Sequence, residues 1–136
     1  MASKDLFNNI DIVRMISPAE YDTSGQPDPQ VLDTFGYESV TLAFIAGAIT
    51  TAQTLVLEHS FDGSAWAAVP GGDIIGGEAV RDAWLATGTT DHVIAAIGYK
   101  GPRRFLRVSC TSVDNGAFFT VVGVLGHPQY GPVDRS

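Results

Sequence analysis

The residue types that most often carry chemistry are few in this chain, and they are scattered. His59, His92 and His127 lie far apart, with no two within four positions. A metal site would need ligands gathered from distant strands, so none is expected. The single cysteine, Cys110, excludes an internal disulfide and any multi-cysteine metal site, and it fits synthesis in a reducing cytoplasm. It shares a strand with Leu106 and Val108 and reads as a buried, inert thiol rather than a nucleophile. Ser60 and Ser64 flank Asp62-Gly63, where short hydroxyls bond the backbone, and no Gly-x-Ser-x-Gly elbow occurs. Gly71-Gly72 and Gly76-Gly77 lack the Lys and the helix of a phosphate-cradling loop. Glu38, Glu58, Asp62 and Asp73 are too dispersed to define an acid–base pair. His59 and His92 are expected on strand surfaces and His127 in a tail contact. The chain is therefore expected not to be an enzyme, with no cofactor, no metal and no small-molecule substrate.

Two local features say more. Lys100, Arg103, Arg104 and Arg107 place four positive charges within eight residues, half of the Lys and Arg in a chain of net charge −7. The overall balance argues against nucleic acid as a partner, because phosphates attract basic proteins. Arg103 and Arg107 are expected to share a strand face with Phe105, and Arg with aromatic rings is favoured at protein interfaces. The competing reading is an exposed strand face neutralised by nearby Asp and Glu. The second feature is Leu57-Glu58-His59-Ser60-Phe61-Asp62-Gly63-Ser64-Ala65-Trp66. Asp-Gly turns a hairpin, since Gly adopts positive φ without steric cost, and Trp66 can fold back over it. This hairpin resembles one in discoidin-type carbohydrate-binding modules.

The elements that must position these residues are β-strands. Hydrophobic residues make up 45% of the 136 and charged residues 17%, which predicts a folded chain with one core. The longest uncharged run, Ser39 to Leu57, is broken by Thr and Gln and is too polar to span a membrane. The N-terminus shows no apolar secretory segment. Short apolar segments separated by Gly and Pro predict strands at Asn9–Ile16, Glu38–Ile49, Thr54–Ser60, Trp66–Pro70, Asp91–Tyr99, Arg103–Thr111 and Ala117–Leu125. In Glu38–Ile49, Val40, Leu42 and Phe44 point one way and Thr41, Ala43 and Ile45 the other. Asp73-Ile74-Ile75 reads as a loop or a very short strand, and Glu78–Leu85 as a short helix or an irregular edge. Ser17–Pro29, with Pro18, Gly25, Pro27 and Pro29, is expected to form no regular element. The expectation is all-β: a jelly-roll-like β-sandwich of about eight strands, one domain over 1–136, with an N-terminal arm (about 1–8) and a C-terminal tail (about 126–136).

Three segments together resemble the head decoration, or cement, proteins of tailed bacteriophages. They are the Leu55–Pro70 hairpin, the stretch Gly98-Tyr99-Lys100-Gly101-Pro102-Arg103-Arg104-Phe105-Leu106-Arg107-Val108, and the ending Val124-Leu125-Gly126-His127-Pro128. Their order and spacing cover roughly Phe35 to Pro128. The resemblance implies a jelly roll that sits as a homodimer on the outer surface of the capsid, after synthesis in the bacterial cytoplasm. It implies that the protein bridges major capsid protein subunits and stabilises the shell. The contact residues expected for that role are Asp5, Phe7, Tyr21, Arg103, Arg107, His127, Tyr130 and Arg135. The alternative is a carbohydrate-binding or tail-associated module of the same fold, with Trp66 and Trp84 as its aromatic platform.

Overall fold

A computed structural model of the chain describes residues 6–22, 25, 28–49, 55–76, 94–110 and 117–129. These residues form nine strands: β1 (Ile10–Tyr21), β2 (Leu32–Asp33), β3 (Tyr37–Ile49), β4 (Leu55–Ser60), β5 (Ala67–Ala68), β6 (Ile74–Ile75), β7 (Ile94–Tyr99), β8 (Phe105–Cys110) and β9 (Ala117–Pro128). They make two antiparallel sheets, one in the order β1-β9-β3-β7-β6 and one in the order β2-β8-β4-β5. Leaving aside the two-residue β6, β1 pairs with β9, β2 with β8, β3 with β7 and β4 with β5. The chain is thus a nested hairpin rolled over on itself, with successive pairs divided between the sheets. That is the jelly-roll arrangement of an all-β sandwich.

Alternation along the strands fills the space between the sheets. Val40, Leu42, Phe44 and Ala46 of β3 point inward, as do Leu55 and Leu57 of β4, Leu106 and Val108 of β8, and Phe119, Val121 and Leu125 of β9. The Phe44 and Phe119 rings stack with centroids 5.5 Å apart. Gly123 sits in the inward row of β9, where a Cβ would fall 2.9 Å from Leu32 Cδ2 and 3.3 Å from the Met15 sulfur. The glycine lets a leucine of the opposite sheet press against the backbone.

Three expectations about boundaries change. β1 does not stop at Ile16 but continues through Ser17 and Pro18 to Tyr21. It is an edge strand, and Pro18 falls in a register shift between Ile16 and Ala19, so the missing N–H costs no ladder bond. A preceding shift between Arg14 and Ile16 turns two consecutive residues, Met15 and Ile16, into the core. At the other end β9 runs on to Pro128, with Gly126 paired to both Ile10 and Ser39, so the tail expected from Gly126 begins inside the sheet. The expected return strand over Trp66–Pro70 is reduced to Ala67–Ala68. The expected element at Glu78–Leu85 lies outside the described residues, as do residues 1–5 of the arm. Phe7–Asn9 form one 3-10 turn that leads into β1.

Candidate interaction surfaces

The β4–β5 connection is built around Asp62. Its Oδ1 accepts from the backbone N–H of Ser64 at 2.8 Å, that of Ala65 at 3.0 Å, and the Ser60 hydroxyl at 3.0 Å. These donors, the two amides above all, hold the carboxyl down at about 2. Gly63 turns the chain with φ of 80°. The turn leaves Phe61 in solvent and brings Trp66 back beside β8.

On the outward face of the four-stranded sheet, Glu58 of β4 lies opposite Arg107 of β8. Arg107 Nε donates to Glu58 Oε1 at 2.9 Å, and its guanidinium lies 4.3 Å from the Trp66 ring centroid. Arg104 donates through Nε and Nη2 to the two carboxylate oxygens of Asp33, both at 2.7 Å. That guanidinium also lies 4.8 Å from each of the Phe35 and Phe105 rings. The Arg104 hydrogen bond holds the Asp33 carboxyl below its ordinary range. Arg103 precedes the strand rather than sharing a face with Phe105 and Arg107, and it covers the Phe61 ring at 4.7 Å. Four guanidinium–aromatic contacts thus gather on the outer side of the four-stranded sheet, at the end where β8 begins. Two of the cluster's cations are neutralised by Asp33 and Glu58. Among the described residues, Lys100 and Arg103 form no salt bridge.

The loop carrying Lys100 and Arg103 is anchored from below. Tyr99 is buried, with its hydroxyl 2.9 Å from His59 Nδ1, and it accepts the Arg103 backbone N–H at 3.2 Å. A Cβ on Gly101 would fall 2.5 Å from that phenol oxygen. The Lys100 N–H donates to the Asp73 carbonyl at 2.9 Å. His59 is only 3% exposed, which overturns the expected surface position. It belongs to the inward row of Leu55 and Leu57, and the Tyr99 hydroxyl supplies the partner that a buried imidazole needs. Burial pushes the His59 pKa down, with the Arg103 charge adding to the effect, and burial pushes that of Tyr99 up. Between this loop, the start of β3 and Ile75 runs a groove of about 440 Å³.

The outer face of the five-stranded sheet differs in character. Its cross-strand rows are Ile12–Val124–Thr41, Arg14–Val122–Ala43–Ala96 and Thr120–Ile45–Ile94. Ile12 is 61% exposed and Ile94 76%. Arg14 and Glu20 lie at its β1 margin. Pro18, Ile45 and Phe118 border a shallow apolar hollow of about 530 Å³ at one end.

The expected contact residues fare differently. Phe7 is exposed on its 3-10 turn. Tyr21 is a correction: it is 8% exposed, donates its hydroxyl to the Ser17 carbonyl, and packs its ring 5.3 Å from that of Phe119. It serves the core, because the prolonged β1 carries it inward. Arg103 lies over Phe61 ahead of β8, and Arg107 lies over Trp66 and pairs with Glu58. His127 lies within β9 rather than in a tail, has φ of 50°, and is hydrogen-bonded through Nδ1 to Ser39 Oγ. Asp5, Tyr130 and Arg135 lie outside the described residues, as do His92, Trp84 and the Cys110 side chain. Phe35 and Phe61 are not singled out by the sequence, and Arg104 is named there only as a member of the basic cluster. Among the described residues no three His, Cys, Asp or Glu gather as a metal site, and no helix is long and apolar enough to cross a membrane. In comparisons with known proteins, no family model, no curated protein and no solved structure matches the chain.

Proposed function

We propose that the protein is a structural virion component, a cement protein that binds the outside of a phage head and bridges neighbouring capsid subunits. The observation that carries this reading is two-sidedness. One rigid sandwich presents an apolar sheet face on one side and an Arg–aromatic surface on the other, so it can hold two neighbours at once. An exposed apolar face of this kind marks an association site, and Arg with aromatic side chains is enriched where proteins meet. Repetition over a lattice makes modest contacts act together. The apolar face would serve a second copy or the shell, and the Arg–aromatic end would grip the major capsid protein. The glycan-binding alternative draws no support from Trp66, which is half-buried with one ring face covered by Arg107.

The test is co-sedimentation of the purified protein with shells of the encoding phage that lack it. Saturable binding at a fixed copy number, with shells surviving to higher temperature, is the expected result. Failure of the folded protein to bind would overturn the reading.

A further inference from the structure

We infer that the groove beside the Tyr99–Arg103 loop is a binding site for an extended, acidic segment of a partner protein. The inference rests on the reading of this end as a protein-binding surface and goes further by naming what it grips. Val40 and Ile75 give the groove apolar surface, and Thr34 and Tyr37 border it. Lys100 and Arg103 stand over it, the two members of the basic cluster that no carboxylate of the described chain neutralises. Two adjacent cations that form no salt bridge with a described carboxylate, set at a groove, are complementary to an anion.

The geometry favours a carboxylate. The Arg103 guanidinium lies 4.7 Å from the Phe61 ring centroid, and a guanidinium resting on a ring can still offer a two-point hydrogen bond to a carboxylate. Part of the ordering cost is thereby met before the partner arrives. The loop beneath is held by the Tyr99 hydroxyl and by Asp73, so the cation is presented on a fixed base. Single-stranded nucleic acid fits less well. Its bases need aromatic faces to stack on, and the ring that lines this groove beneath the loop, Tyr99, is buried. Glu38 also borders the groove, so a segment in which acidic and apolar side chains alternate fits it better than an unbroken run of anions.

The experiment uses the full chain and an end-labelled peptide alternating Glu and Leu, followed by fluorescence anisotropy. A Lys–Leu peptide and an oligo-dT strand serve as comparison probes. Binding of the Glu–Leu peptide is expected, with about tenfold weakening in Arg103→Glu and in Lys100→Glu. Arg14→Glu, the same charge change on the other sheet, should leave binding within about twofold. Arg103→Glu keeps the backbone N–H that holds Tyr99, so an unchanged melting temperature verifies the fold. Phe61→Ala, which removes the ring under the guanidinium, should also weaken binding. Absence of Glu–Leu binding, equal loss in Arg14→Glu, or tighter binding of oligo-dT would each overturn the inference. Shell attachment that survives Arg103→Glu overturns the groove and leaves the structural role standing. Wild-type protein that binds the peptide but no shell overturns the structural role instead.

Discussion

His59 Nδ1 lies 2.9 Å from the hydroxyl of Tyr99, a residue forty positions away on the opposite sheet. The bond crosses the sandwich interior and joins β4 to the end of β7. Burial lowers the imidazole's pKa in the folded protein. The sign of its linkage follows. The folded pKa lies below the ordinary value of about 6.5, so the unfolded chain binds the proton first. The stability this histidine contributes is complete above that value and is lost as pH falls below it toward the folded pKa. The melting temperature of the wild type should therefore fall as pH drops below about 6.5. In His59→Gln, which cannot titrate, the slope over that window should be shallower. Equal slopes would show that other groups govern it.

Tyr99→Phe keeps the ring and removes the oxygen shared by His59 and the Arg103 N–H. The buried His59 imidazole and the partly buried Arg103 N–H then lose their partner, and a destabilisation of about 1–3 kcal/mol is expected by chemical denaturation. Amide exchange at Arg103 should accelerate in the same variant, because its N–H is freed.

Gly123 and Leu32 are coupled through space. Gly123→Ala puts a methyl group within 2.9 Å of a leucine methyl and should cost about 1–3 kcal/mol. Leu32→Ala alone should cost about 2–5 kcal/mol by leaving a cavity. In the double variant the new methyl occupies part of that cavity, so the combined loss should be smaller than the sum. Additive losses would refute the close contact.

The Asp62 carboxyl should titrate at about 2, readable from its side-chain carbon resonance. Asp62→Ala removes the acceptor of two turn amides and should lower the melting temperature, whereas Asp62→Asn, which keeps an oxygen acceptor, should lower it less. A midpoint in the ordinary carboxylate range would mean that the turn is not held through Asp62.

How far these features could be read from sequence depends on whether their cause is local. The alternation in β3 is local, and Val40, Leu42 and Phe44 point inward as the pattern requires. The Asp62-Gly63 turn is also local, since donors and acceptor lie within five residues. The length of β1 is not: Pro18 reads as a breaker unless an edge position and a register shift are known, and both depend on β9. His59 belongs to a period-two row with Leu55 and Leu57, which signals burial, but its partner is remote. The Arg–aromatic end was half legible. The cluster from Lys100 to Arg107 stands out in the chain, while the Asp33 that takes Arg104 comes from a strand 71 positions away. What sets the cations that pair with Asp33 and Glu58 apart from Lys100 and Arg103 is tertiary geometry.

The nested pairing of the strands also sets the order in which the molecule can be finished. β1 leaves the ribosome first, yet its partner along almost its whole length is β9, and the Thr120 hydroxyl bonds the Ile16 carbonyl across 104 positions. Loop closure on that scale precedes any reward from the contacts, which places jelly-roll folding among the slow topologies, on the order of milliseconds to seconds. β3 must likewise wait for β9, its neighbour in the middle of the sheet. During synthesis β1 therefore lacks its partner, and β3 has only β7 beside it, until β9 emerges. The Arg14 and Glu20 charges and the shifts around Pro18 help to keep β1 from pairing with the wrong chain in that interval.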